Sequence, residues 1–138
     1  MDILKNISDF FKNKDEVVAV YLFGSYASGK QHHMSDIDLG IFFKEKSMSL
    51  HYPLIDKYFN SLSRLLRRDI HLVSLNTASE ELLKQIFSKG QCILVNDKNK
   101  LVRFKMTAFS KIADFGYYRQ IIKDGFINKI METNHGRS

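Results

Sequence analysis

The stretch Gly24-Ser25-Tyr26-Ala27-Ser28-Gly29-Lys30-Gln31-His32-His33-Met34-Ser35-Asp36-Ile37-Asp38-Leu39-Gly40-Ile41-Phe42-Phe43 decides how the chain is read. A small-residue turn closes one apolar run, Val17 to Phe23, and two carboxylates open the next. Residues two apart on a strand point to the same side, so Asp36 and Asp38 project together. Adjacent carboxylates repel, and burying them without a partner is costly. A hard divalent cation relieves that cost, and Mg²⁺ commonly takes one or two carboxylates together with phosphate oxygens. A glycine turn lets backbone N–H groups approach a phosphate closely. The local chemistry is that of a metal-bound nucleoside triphosphate.

Around this stretch the chain reads as one mixed α/β unit. Ile3, Leu4, Ile7, Phe10 and Phe11 repeat at helical spacing over residues 2–13. Residues 17–23 and 36–43 read as strands. Pro53 suits the first turn of a helix whose apolar face continues through Leu66. Residues 68–75 read as a third strand, with Asp69, His71 and Val73 on one side and Ile70 and Leu72 on the other. Thr77-Ala78-Ser79-Glu80 has the form of a capping box for a helix that ends at Gly90. Cys92 to Val95 is a fourth strand, and Asn96 or Asp97 caps a last helix. The expected fold is α/β (α+β): a small mixed sheet of about four strands, with helices packed on one face and a helical C-terminal region. If the third strand lies beside the second, Asp69 joins Asp36 and Asp38. Three carboxylates from adjacent strands suit two metal ions, which stabilise both oxygens of a phosphoryl displacement.

Composition narrows the class. The 138 residues are 44% hydrophobic and 26% charged, ordinary for a globular domain. The single cysteine, Cys92, fits a reducing compartment. No apolar run is long enough to span a bilayer, and no secretory leader is expected after Asp2, so the expected location is cytoplasmic. The net charge of +6 is uneven. Residues 1–96 carry 12 basic and 11 acidic side chains, and residues 97–138 carry nine and four. The basic third is either a solvated helix face or a surface for a polyanion or an acidic protein.

Gly24-Ser25-x10-Asp36-x-Asp38, with Asp69 following in Arg68-Asp69-Ile70-His71-Leu72-Val73, resembles the signature of the DNA polymerase beta-like nucleotidyltransferases. The small size is similar to the minimal nucleotidyltransferases within that superfamily. The resemblance covers a core over residues 1–96; the residues after it read as a helical extension over 97–131 and a flexible tail over 132–138. It implies that Gly24 and Ser25 hold the triphosphate of ATP. It further implies that Asp36 and Asp38 bind Mg²⁺, and that Asp69 shares the metal site and helps activate the attacking hydroxyl. Where members of the family often carry arginine three residues after the serine, this chain has Ser28, and Lys30 is the candidate substitute for that contact.

Many minimal nucleotidyltransferases resemble the antitoxins of HEPN/MNT pairs. The implied reaction is transfer of AMP from ATP to a tyrosine hydroxyl of a HEPN ribonuclease toxin, whose activity it silences. Two alternatives are a nucleotidyltransferase acting on a small molecule such as an aminoglycoside, and a non-catalytic module that binds the toxin. The expected partner is a HEPN-family protein. Nucleic acid is possible but not favoured, a homo-oligomer is possible, and no membrane is expected. Among the C-terminal aromatics, Phe104 and Phe109 read as core, whereas Tyr117, Tyr118 and Phe126 are candidates for an interface. His32 and His33 read as loop histidines rather than metal ligands. Arg67 and Arg68 are either salt-bridge partners of Asp69 or lower its pKa.

Overall fold

The computed structural model describes residues 2–24, 36–44 and 48–112, with backbone alone for 48–49 and 111–112. Among the described residues the elements are, in order, α1 (Ile3–Phe11), β1 (Val17–Phe23), β2 (Ile37–Phe43), α2 (Met48–Leu66), β3 (Ile70–Ser74), a 3₁₀ turn (Leu75–Thr77), α3 (Glu80–Lys89), β4 (Gln91–Val95) and α4 (Lys98–Ile112). The expected tail and the aromatics beyond Ile112 lie outside the described residues, as do Ser25, Lys30, His32 and His33.

The sheet has the order β3-β2-β1-β4. β1 runs antiparallel to β2 and β4, whereas β2 and β3 are parallel and joined by α2. The sheet is therefore mixed, as expected, but helices cover both of its faces rather than one. Ile37, Leu39, Ile41 and Phe43 pack with Ile7, Phe11, Tyr58 and Leu62 from α1 and α2. Val18, Ala19 and Tyr21 pack the other way, against Leu83, Ile86 and Phe87 of α3 and Leu101 and Phe109 of α4. The cause is visible in β1, where six consecutive residues from Val17 to Leu22 are buried. An uninterrupted apolar strand needs cover on both sides.

Local signals placed most boundaries. The Asp2 side chain accepts from the Lys5 N–H and starts α1. Ser79, rather than Thr77, caps α3 by accepting from the Leu82 N–H at 3.1 Å. Asp97 caps α4, accepting from the Lys100 N–H at 3.1 Å. Asn96 does different work, donating from Nδ2 to the carbonyls of Phe11 and Val17 and so tying β4 to the α1–β1 turn. Pro53 lies inside α2 and not at its start. Proline removes one helical hydrogen bond, a loss confined here to the second turn.

Polar contacts also join α2 to the sheet. The buried Tyr58 hydroxyl donates to Glu16 Oε1 beside the start of β1. Burial, followed by that carboxylate, raises the Tyr58 pKa well above its ordinary value of 10.0, so the phenol stays protonated. His51 stacks on Phe43 and its Nδ1 lies 3.3 Å from Ser74 Oγ, which partners two buried polar side chains at the far end of β2 and β3.

Candidate active site

The site forms at the end of the sheet where β1 stops and β2 and β3 begin. Phe23, the last residue of β1, pairs with Asp38, and Asp38 pairs with His71 on β3. The neighbouring Ile37 N–H donates to the Asp69 carbonyl at 3.0 Å, carrying the parallel pairing one step past the strands and setting Asp69 near Asp36. The chain turns at Gly24 with φ +75, a conformation that favours glycine. A Cβ there would lie 2.2 Å from Asp38 Oδ2, so the turn and the carboxylate are in direct contact.

Asp36 and Asp38 are half-buried, and His71 joins them. His71 Nε2 lies 3.1 Å from Asp36 Oδ2. Burial pushes the Asp38 carboxyl above its usual 3.8; His71 opposes the rise and the Asp36 charge adds to it. Asp69 is exposed and lines the same cleft as Asp36. That cleft, of about 760 Å³, is bounded further by Phe59, Ser63, Arg67 and His71.

Of the residues singled out in the sequence, Gly24, Asp36 and Asp38 come together, with Asp69 beside Asp36 at the edge. Among the described residues no group of three or more histidine, cysteine, aspartate or glutamate side chains is arranged to hold a metal ion. Asp38 is the carboxylate in contact with the glycine turn, and Asp36, two residues earlier, meets His71. The sequence alone gives His71 no role. Its signal was present in the alternation that put it on the Asp69 side of β3, but its partner depended on the β2–β3 register.

The family model for polymerase beta nucleotidyltransferases matches residues 5–99, most of the chain and the whole of this site. The chain belongs to this nucleotidyltransferase family. Protein adenylyltransferase MntA of Shewanella oneidensis is 29% identical over 138 residues, covering 99% of this chain and 94% of that one. A toxin–antitoxin crystal structure with AMP-PNP has a chain of similar fold, with a TM-score of 0.64 and 24% identity over 95% of this chain and 99% of that one. The complex of a tri-AMPylated Shewanella oneidensis HEPN toxin with its MNT antitoxin includes another, with a TM-score of 0.60 and 21% identity over 94% and 96% of the two chains.

Nucleotidyltransferases of this family use ATP and a divalent metal. The donor set here suits that chemistry. The paired carboxylates of Asp36 and Asp38 are hard oxygen ligands, burial makes the charged form of Asp38 costly with a smaller addition from Asp36, and Mg²⁺ needs only one or two carboxylates when phosphates complete its shell. Phe104 and Phe109 are core, as expected: Phe109 is buried, and Phe104 stacks on Phe42 at 4.1 Å between centroids. Among the described residues no helix is long and apolar enough to cross a membrane.

Proposed function

We propose that this nucleotidyltransferase moves AMP from ATP onto a tyrosine hydroxyl of a HEPN ribonuclease toxin, and so acts as an antitoxin. The observation that carries the reading is the packing of the Gly24 turn against Asp38, with Asp36 two residues earlier, just before β2 begins. The full-length similarity to a protein adenylyltransferase supports a protein acceptor. The fold shared with the antitoxin of an AMPylated HEPN toxin supports the choice of partner. Such a pair works in the cytoplasm.

In this reading Gly24 and Ser25 receive the β- and γ-phosphates, with Lys30 as a further contact. Asp36 and Asp38 hold Mg²⁺, which when bound neutralises phosphate charge and polarises the α-phosphorus. The acceptor oxygen bonds to the α-phosphorus, the bond to the β-phosphate bridge breaks, and pyrophosphate leaves. Asp69, at the edge of the cleft, takes the acceptor's proton. Positioning and charge neutralisation account for most of the acceleration.

The test is incubation of the purified chain with α-labelled ATP, Mg²⁺ and the HEPN protein encoded beside it. Label on a toxin tyrosine and loss of toxin RNase activity are expected. An Asp36→Asn chain that still labels the toxin, or still protects cells from it, would refute the catalytic reading.

A further inference from the structure

The two carboxylates stand between unlike surroundings. Toward β1, the Gly24 turn presses on Asp38. Toward the other side, β3 is the edge strand, and the cleft opens between it and the second half of α2. Phe59, Ser63 and Arg67 line that cleft at successive steps of four, so one helical face forms a wall of it. Phe59 is 44% exposed. The Ser63 hydroxyl is buried and has no hydrogen-bond partner among the described residues.

Arg67 adds a backbone observation. It has φ 53, and its N–H donates to the Ser63 carbonyl at 2.9 Å, closing the end of α2. Such a left-handed closing position favours glycine or asparagine. Capping alone gives no reason for a long cation there, and a residue kept in a costly conformation points to work done by its side chain.

Displacement at phosphorus places the attacking and leaving oxygens roughly in line, on opposite sides. With the pyrophosphate end at Gly24, the acceptor enters from the β3 edge. We propose that the α2–β3 cleft is the acceptor subsite: Phe59 stacks on the tyrosine ring that receives AMP, and Arg67 pairs with an acidic residue beside that tyrosine on the partner. The proposal rests on the protein-acceptor reading above. Aromatic stacking suits an exposed Phe59, and the cations at Arg67 and Arg68 complement an acidic segment. The tyrosine oxygen forms the bond to the α-phosphorus, pyrophosphate departs, and the phenolic proton passes to Asp69.

Steady-state AMP transfer onto the HEPN protein, with calorimetric binding of Mg²⁺–AMP-PNP, tests this. Phe59→Ala and Arg67→Gly are each expected to raise the KM for the toxin by about tenfold, equivalent to ~1.4 kcal/mol. Arg67→Glu raises it further, Phe59→Tyr restores it, and the analogue's Kd holds in all four. Arg67→Gly also melts no lower than the parent chain, because glycine suits the backbone, so a purely structural arginine would leave the KM unmoved. An unchanged KM in Phe59→Ala and Arg67→Gly overturns the proposal. Weakened analogue binding in Phe59→Ala does so too, by assigning the cleft to the nucleotide base. A parent chain that labels no protein overturns the protein-acceptor reading itself, and the subsite with it.

Discussion

Gly24 and Asp38 are in contact across the end of the β1–β2 pair: a methyl group on Gly24 would sit 2.2 Å from Asp38 Oδ2. Alanine at this position meets two obstacles, the left-handed φ of +75 and the carboxylate itself. The backbone cost is about 1 kcal/mol, small enough for the fold to survive. Displacing a carboxylate by an ångström costs far more in rate, about a hundredfold. Gly24→Ala is therefore expected to remain folded by circular dichroism while its labelled-AMP transfer falls about a hundredfold or more.

Asp38 gives a pH signature. Burial holds its carboxyl above 3.8, opposed by His71 and helped less by the charge of Asp36. Between 3.8 and the raised value the folded chain binds more protons at this group than the unfolded chain. Stability from this group therefore falls as pH rises through that window, and the deficit persists at neutral pH. In the absence of divalent metal, Asp38→Asn is expected to melt above the parent chain at pH 7. The gap closes as pH drops to 3.8 and below. Mg²⁺ with ATP raises the melting point of the parent but not of Asp38→Asn, and the variant loses transfer. Melting curves in EDTA against Mg²⁺–ATP, across pH, decide it.

These expectations were partly legible in the chain. The run from Val17 to Phe23, the turn at Gly24 and the acids at Asp36 and Asp38 are local features, and local periodicity placed them on neighbouring strands. The same apolar run demands cover on both faces of the sheet, which the expectation of helices on one face missed; assigning α3 and α4 to the second face depends on where β4 inserts, which is a long-range choice. His71 became a neighbour of Asp36 and Asp38 only through the parallel β2–β3 register. Asn76 is a similar case. Its side chain accepts from the Phe43 N–H at 2.8 Å and donates to the Phe43 carbonyl at 2.9 Å, standing in for a strand partner 33 residues away. No spacing rule exposes such a pair.

His71 is expected to act through Asp36. Its Nε2 lies 3.1 Å from Asp36 Oδ2, and both side chains are about half exposed. A hydrogen bond to a ligating carboxylate fixes its orientation, and losing such a partner typically weakens metal affinity by about tenfold or more. His71→Ala should raise the Mg²⁺ concentration needed for half-maximal ATP binding by about tenfold. His71→Gln, which keeps a donor, should recover most of the loss. Calorimetric titration of Mg²⁺–AMP-PNP into the three chains separates this from a role in folding, which would shift their melting points together.

Asn96 supplies the structural contrast. Its backbone N–H donates to Val18 at 2.7 Å, and its side chain reaches the carbonyls of Phe11 at 3.2 Å and Val17 at 2.9 Å. These bonds hold the α1–β1 turn to the end of β4, at the opposite end of β1 from Gly24. Alanine removes these side-chain bonds from a partly buried site, although the Phe11 carbonyl keeps the Lys14 N–H. The expected cost is ~1–3 kcal/mol, read as a melting point several degrees lower. Because the lesion is remote from Asp36 and Asp38, AMP transfer measured well below the melting transition should match the parent chain. A loss of transfer at that temperature would mean that the turn beneath β1 is coupled to the carboxylates through the strand itself.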